Sequence, residues 1–314
     1  MSAKLSIVMY HYVRDCSRTE WPRIKGLDVQ SFRSQLDHIQ KNYTVVDYTH
    51  LRSFIKEGEP LPRNPCWLTF DDGYLDHFEY VLPELTSRGL RASFFPAAKA
   101  VAENVLLDVN QIHFILASTE QHDDILAHIR FLVDEECRQN PASVPFDSYW
   151  NKYAVAGRYD SANVSFIKKV LQVGLVPGLR ERVLDKLFEF FVSKDKSAFA
   201  ERLYMSRDHL TELMRYDMHI GSHGYRHTWL NHMDKEGQAD DIDRSLAFLN
   251  SLGIQTHTDW VMCYPYGGYD MTTLSLLEER NCLIGVTTAP GVAEFVSETS
   301  LTLSRLDTND LPQS

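Results

Sequence analysis

Short apolar runs alternate along this chain with longer stretches of helical period. Eight runs have strand character: "KLSIVMY" (4–10), "YTVVDY" (43–48), "CWLTF" (66–70), "RASFFPA" (91–97), "DMHIGS" (217–222), "DWVMCY" (259–264), "CLIGVTT" (282–288) and "LTLSRL" (301–306). Valine, isoleucine, threonine and aromatic residues enrich them, as a pleated and half-buried surface requires. Between them, "DVQSFRSQLDHIQKNY" puts Phe32, Leu36 and Ile39 on one helical face. "DDIDRSLAFLNSLG" does the same with Ile242, Leu246 and Leu249, and Gly253 marks a C-terminal stop. "MTTLSLLEERN" is a third such segment. Strands alternating with helices predict a parallel α/β architecture, and seven or eight of them favour a closed or nearly closed barrel over an open sheet.

The alternation breaks between residues 105 and 215, where the patterns are mostly helical. "TEQHDDILAHIRFLVDEECRQ" and "GLRERVLDKLFEFFVSK" are both amphipathic. In the second, Leu179, Val183, Leu187 and Phe190 form a stripe that is expected to pack into a core. The reading is an α/β frame built from residues 1–104 and 216–314, with 105–215 as a helical insertion in that frame or a small second domain.

Composition narrows the function classes. A chain of 314 residues that is 44% hydrophobic can bury a sizeable core, which excludes disorder. A net charge of -11 with no run of lysine or arginine argues against nucleic acid as a partner. Cys16, Cys66, Cys137, Cys263 and Cys282 are scattered and form no CxxC pair, so neither a thiolate zinc site nor a disulfide framework is expected. The N-terminal stretch lacks the long apolar region of an export leader, and no apolar run approaches the roughly 20 residues of a membrane helix. The expectation is a cytoplasmic protein without a membrane span. Its oligomeric state is left open.

Three motifs bear chemistry, and each follows a predicted strand. Asp71 and Asp72 come directly after "CWLTF", with Gly73 allowing a tight backbone path beyond. Two adjacent carboxylates repel each other, and a bound dication would relieve that repulsion. Taken alone, the pair also reads as an ordinary turn. In "HIGSHGYRHTWL", His223 and His227 are four residues apart, a spacing that lets two imidazoles converge on one ion if the segment forms a helical turn. Alone, they also read as surface histidines. In "VMCYPYGGYD", the turn at Pro265, Tyr266 and Gly267 can aim a backbone N–H at a developing oxyanion. In a parallel α/β fold the C-terminal ends of the strands share one face, so the three motifs meet there. One aspartate and two histidines leave a coordination position open, the pattern of a catalytic rather than a structural zinc.

"TFDDG", "SHGYRH" and "YPYGGY", in this order, resemble the polysaccharide deacetylase family (NodB homology domain, carbohydrate esterase family 4). "MYHYV" near the start and the region 32–51 are similar to a branch of the same family. The resemblance covers residues 1–100 and 216–310. It implies a distorted (β/α) barrel of about seven strands and metal-dependent removal of N-acetyl groups from sugars, with Zn²⁺ as the expected dication. Asp71 matches the family's general base, Asp72 its metal-binding aspartate, His223 and His227 its histidine ligands, and Tyr266 the backbone donor to the oxyanion. Pro265, Tyr266 and Arg305 are expected to contact substrate.

Three positions depart from the family pattern. Gly224 stands where the family has Ser or Thr, whose hydroxyl steadies the neighbouring loop. Met262, Cys263 and Tyr264 precede Pro265, so the arginine that orients the catalytic aspartate is missing there. The last motif, "LTLSRLD", offers Arg305 and Asp307 but no histidine as general acid, and His11 at the end of the first strand is the candidate for that role. An N-acetylated sugar, nucleotide- or lipid-linked, is the expected substrate, as an intermediate in the biosynthesis of a surface polysaccharide such as capsule or O-antigen. The alternatives are an inactive carbohydrate-binding homologue and a deformylase acting on a formylated amino sugar.

Overall fold

The structure, a computed structural model, describes residues 2–157, 160–296 and 300–312. The chain divides into two compact units, one of Met1–Cys16, Gly26–Val105 and Ala200–Ser314, the other of Ser17–Lys25 and Leu106–Phe199.

The first unit is built on strands β1 (Ser2–Tyr10), β2 (Val13–Arg14), β3 (Leu27–Asp28), β4 (Thr44–Val46), β5 (Pro65–Asp72), β6 (Ser93–Pro96), β7 (His219–Ile220), β8 (Trp260–Cys263), β9 (Cys282–Pro290), β10 (Ala293–Val296) and β11 (Leu303–Asp307). Seven of these run parallel in the order β7-β6-β5-β1-β11-β9-β8. Just past β7, the Ser222 N–H donates to Val261 O at 2.9 Å, and Ser222 O accepts from Cys263 N–H at 2.8 Å. This bridge to Met262 joins the two ends of the order, so the ladder curls into a distorted (β/α) barrel. β4 pairs with β5 and β10 with β1, off the barrel path, while β2 and β3 form a separate two-residue pair.

All eight predicted strands are present. β10 was not expected; it is a four-residue strand that adds antiparallel to the first half of β1. β5 is buried along its whole length, as a strand covered on both faces must be. Alternate residues serve two layers. Trp67, Phe95, Val261, Ile284 and Leu303 form one apolar cluster. Leu68, Phe70, Phe94 and Met262 face the other way, into a layer shared with the helices.

Around the strands lie α1 (Val29–Asn42), α2 (Tyr48–Lys56), α3 (Leu82–Ser87) and α4 (Ala98–Glu103). α1 starts at Asp28, whose carboxylate accepts the Gln30 N–H, and it buries Phe32, Leu36 and Ile39 as the periodicity predicts. The second unit holds α5 (Asp108–Ala117), α6 (Asp123–Gln139), α7 (Phe146–Tyr153), α8 (Ala162–Lys169) and α9 (Pro177–Phe191). Trp21 packs edge-on against Phe114 at 5.5 Å, tying the segment 17–25 to this unit. In α9, Leu179, Val183 and Leu187 are buried, but Phe190 is 67% exposed. That corrects the expected stripe: Leu184 and Phe188 fill the core, and Phe190, in the last turn, rests against the His128 ring. The chain returns through α10 (Lys196–Leu203), which carries the boundary between the units. The first unit then adds α11 (Arg207–Arg215), α12 (Lys235–Ser251) and α13 (Met271–Glu278). α12 buries Ile242, Leu246 and Leu249 and ends two residues before Gly253. Among the described residues, no helix is long and apolar enough to cross a membrane.

Candidate active site and metal centre

The barrel delivers every candidate residue to one end. His11 follows β1, Asp71 and Asp72 end β5, His223 follows β7, Pro265 and Tyr266 follow β8, and Arg305 lies within β11. Apart from Arg305, these are the C-terminal ends of parallel strands, where the fold gathers functional groups.

An extended strand would send Asp71 and Asp72 to opposite faces. The backbone at Asp72 is left-handed instead (φ 71°), which breaks the alternation. Gly73 continues the bend with φ 74°, and a side chain there would meet the Pro96 Cβ at 2.7 Å. Among the described residues other than glycine, positive φ occurs at Asn64, Asp72, Asn104, Asp217, His227, Tyr266 and Asn281. Five of these are Asn or Asp, which tolerate it; the other two, His227 and Tyr266, are site residues.

Asp72, His223 and His227 converge. Asp72 Oδ1 lies 3.2 Å from His223 Nε2 and 3.0 Å from His227 Nε2. All three residues are buried. The second carboxylate oxygen, Oδ2, accepts the Tyr74 hydroxyl at 2.6 Å, which leaves Oδ1 turned to the imidazoles. His223 Nδ1 is 2.7 Å from Cys263 O. A carbonyl can only accept, so Nδ1 carries the proton and Nε2 presents a lone pair. Asp72 Oδ1 is itself a buried atom without a hydrogen-bond partner. Tetrahedral zinc with bonds of about 2.0–2.2 Å spaces its ligand atoms roughly 3.3–3.6 Å apart, a few tenths of an ångström wider than here, so this donor set fits a dication after a small outward shift.

Asp71, Cys263 and His223 form a second possible donor trio. It is the poorer one, because a cation already occupies it. Arg305 donates through its two terminal nitrogens to Asp71 Oδ1 at 2.8 Å and Oδ2 at 2.7 Å, and lies 3.3 Å from Cys263 Sγ. Arg305 Nε donates to Thr287 O at 2.7 Å, and Thr69 Oγ1 takes a further bond at 3.2 Å. Arg305 and Asp71 are each 1% exposed. Burial works to raise the Asp71 carboxyl, but the Arg305 guanidinium outweighs it and holds it at about 2.

His11 Nε2 stands 3.8 Å from Asp71 Oδ2, with its side chain 42% exposed. Its carbonyl accepts from His77 Nε2 at 2.7 Å. Burial depresses His77 to about 4, so it is neutral at pH 7. Pro265 is buried, and the Tyr266 ring stacks on Trp229 at 4.9 Å and meets His227 edge-on at 4.8 Å.

The structure therefore brings Asp71, Asp72, His223, His227, Tyr266, Pro265, His11 and Arg305 to one mouth. Arg305, expected at the substrate, is enclosed against Asp71. Sequence reasoning missed Tyr74 and His77. Tyr74 directly follows "DDG", a position from which a hydroxyl can return to Asp72; nothing local marks His77.

A family model described as polysaccharide deacetylase matches residues 181–282, a stretch that contains both histidines, Pro265 and Tyr266 but neither aspartate. No curated protein matches the chain. Among solved structures, the Streptococcus pyogenes deacetylase PplD in complex with acetate superposes with a TM-score of 0.58 at 15% identity, covering 99% of this chain and 97% of that one. IcaB from Ammonifex degensii gives 0.56 at 17% identity, covering 96% and 91%. A de-N-acetylase from Aggregatibacter actinomycetemcomitans gives 0.56 at 13% identity, covering 98% and 96%. The likeness to the polysaccharide deacetylase family thus holds at three levels: in the motifs, in the matched segment that carries both histidines, and in the fold along nearly the whole chain.

Proposed function

We propose that this protein is a metal-dependent hydrolase that removes the N-acetyl group from an amino sugar. The observation that carries the reading is the convergence of Asp72 Oδ1, His223 Nε2 and His227 Nε2 beside a second, separately held carboxylate, Asp71. The solved relative bound to acetate is a deacetylase, and acetate is the acid this reaction releases.

Asp72, His223 and His227 would hold the dication, expected to be Zn²⁺. When bound, it supplies Lewis acidity, which lowers the pKa of water and polarises the acyl carbonyl. Asp71 stays ionised at neutral pH under the hold of Arg305 and accepts a proton from the attacking water. The Tyr266 N–H donates to the oxygen on which negative charge develops. His11, half-open to solvent and 3.8 Å from Asp71, delivers a proton to the departing nitrogen, so that acetate and a free amine leave. In this scheme Arg305 orients the base rather than the sugar. It fills, from β11, the role of the arginine missing before Pro265.

The substrate we assign is a nucleotide- or lipid-linked N-acetylated sugar, an intermediate in surface polysaccharide assembly, met in the cytoplasm. The five free cysteines suit a reducing compartment. Acetate release measured on nucleotide-linked, lipid-linked and free oligosaccharide substrates, with zinc and after chelation, tests this. Zinc-dependent release from a linked precursor is expected. Release that chelation leaves untouched, or that occurs only on finished polymer, overturns it.

A further inference from the structure

The loop between the two histidines is pinned by a carboxylate that lies outside it. Buried backbone donors need acceptors, and here each can be assigned. Gly224 N–H donates to Ser222 Oγ at 3.1 Å, and that hydroxyl pairs with Ser245 of α12 at 2.7 Å. Tyr225 N–H donates to Asp241 Oδ1 at 2.7 Å, and Arg226 N–H to Asp241 Oδ2 at 3.1 Å. From the other side, Ala98 N–H and Lys99 N–H of α4 donate to Gly224 O at 3.2 Å and Tyr225 O at 2.9 Å.

We infer that Asp241, on α12, is a positioning residue for His223 and His227: its two oxygens fix the three-residue span that sets the distance between them. This inference rests on the metal reading above. Asp241 is fully buried, and its charge is met by the Arg226 guanidinium at 3.2 Å. Arg226 also pairs with the neighbouring Asp240. Gly224 fits the same arrangement. Its backbone is left-handed (φ 68°), and a Cβ there would come within 2.8 Å of Asp241 Oδ1. A hydroxyl-bearing residue at 224 would collide with the carboxylate that replaces it. The steadying contact has moved from the loop to the helix behind it, with each oxygen taking one amide.

The test is zinc affinity of chelator-stripped protein, measured by competition with a chromophoric chelator. It compares the natural chain with Asp241→Ala, Asp241→Asn and Leu246→Ala, the last removing a buried apolar contact from the same helix. Asp241→Ala is expected to weaken zinc binding about 10- to 100-fold, the usual range for an outer-shell partner. Asp241→Asn, which keeps one acceptor and turns an amide against the other N–H, should fall between. Leu246→Ala should lower the melting temperature and leave zinc affinity unchanged. If Asp241→Ala does not fold, the Asn variant decides. Natural affinity in the folded Asp241 variants, or an equal loss in Leu246→Ala, overturns this inference alone. A natural chain that binds no zinc overturns the metal reading and this inference with it.

Discussion

Arg305 and Asp71 meet fork to fork, two nitrogens on two oxygens at 2.8 and 2.7 Å, with both side chains enclosed and 234 positions apart in sequence. This geometry is specific to a guanidinium and a carboxylate. It keeps Asp71 ionised where burial alone would protonate it.

Arg305→Met should therefore act in two ways. At neutral pH it leaves a buried charge without a partner, at a cost of about 3–5 kcal/mol. The sign with pH follows from a folded value of about 2, below the unfolded carboxylate. The pair's contribution is fully present above the unfolded value, roughly pH 4, and is lost as pH falls through about 2. The deficit of the variant, read from denaturant unfolding, should shrink toward acid. Its acid limb in kcat/KM should also move to higher pH, because burial then raises Asp71 with its strongest opponent gone.

Asp71→Asn should lower kcat by about 10²- to 10⁴-fold, the span typical of a lost general base, while zinc binds as before. Steady-state acetate release beside zinc titration separates the two effects. Equal loss of metal would make Asp71 a ligand instead of a base.

Tyr74→Phe removes the hydroxyl that occupies Asp72 Oδ2 but keeps the ring, which stacks on Tyr12 at 3.9 Å. Zinc affinity is expected to drop about 10-fold or more with little change in melting temperature. Unchanged affinity would show that Asp72 is held without Tyr74.

His11→Asn should slow amide hydrolysis far more than hydrolysis of an activated acetyl ester, whose leaving group needs no proton. A loss of about 10² or more on the amide against little on the ester is the expected contrast. Equal losses would remove His11 from the acid's role.

Much of this was legible before the fold. The eight apolar runs became strands because β-branched and aromatic residues suit a buried parallel sheet. The ends of those strands then placed the Asp-Asp, His-x-x-x-His and Pro-Tyr motifs together. What stayed hidden depends on long-range register. Arg305 looked like a substrate contact, because only the pairing of β11 beside β1 turns it onto Asp71. Asp241 looked like one more polar residue of an amphipathic helix, since no local pattern marks an acceptor for amides 15 and 16 residues away. Phe190 kept the period of its helix but lies where the core has ended.

The central claim, that Asp72, His223 and His227 form a metal centre, is tested most directly by calorimetric titration of chelator-stripped protein with zinc. One equivalent should bind to the natural chain, and Asp72→Ala, His223→Ala and His227→Ala should each abolish the tight site. No stoichiometric binding, or binding that survives these substitutions, would contradict the account.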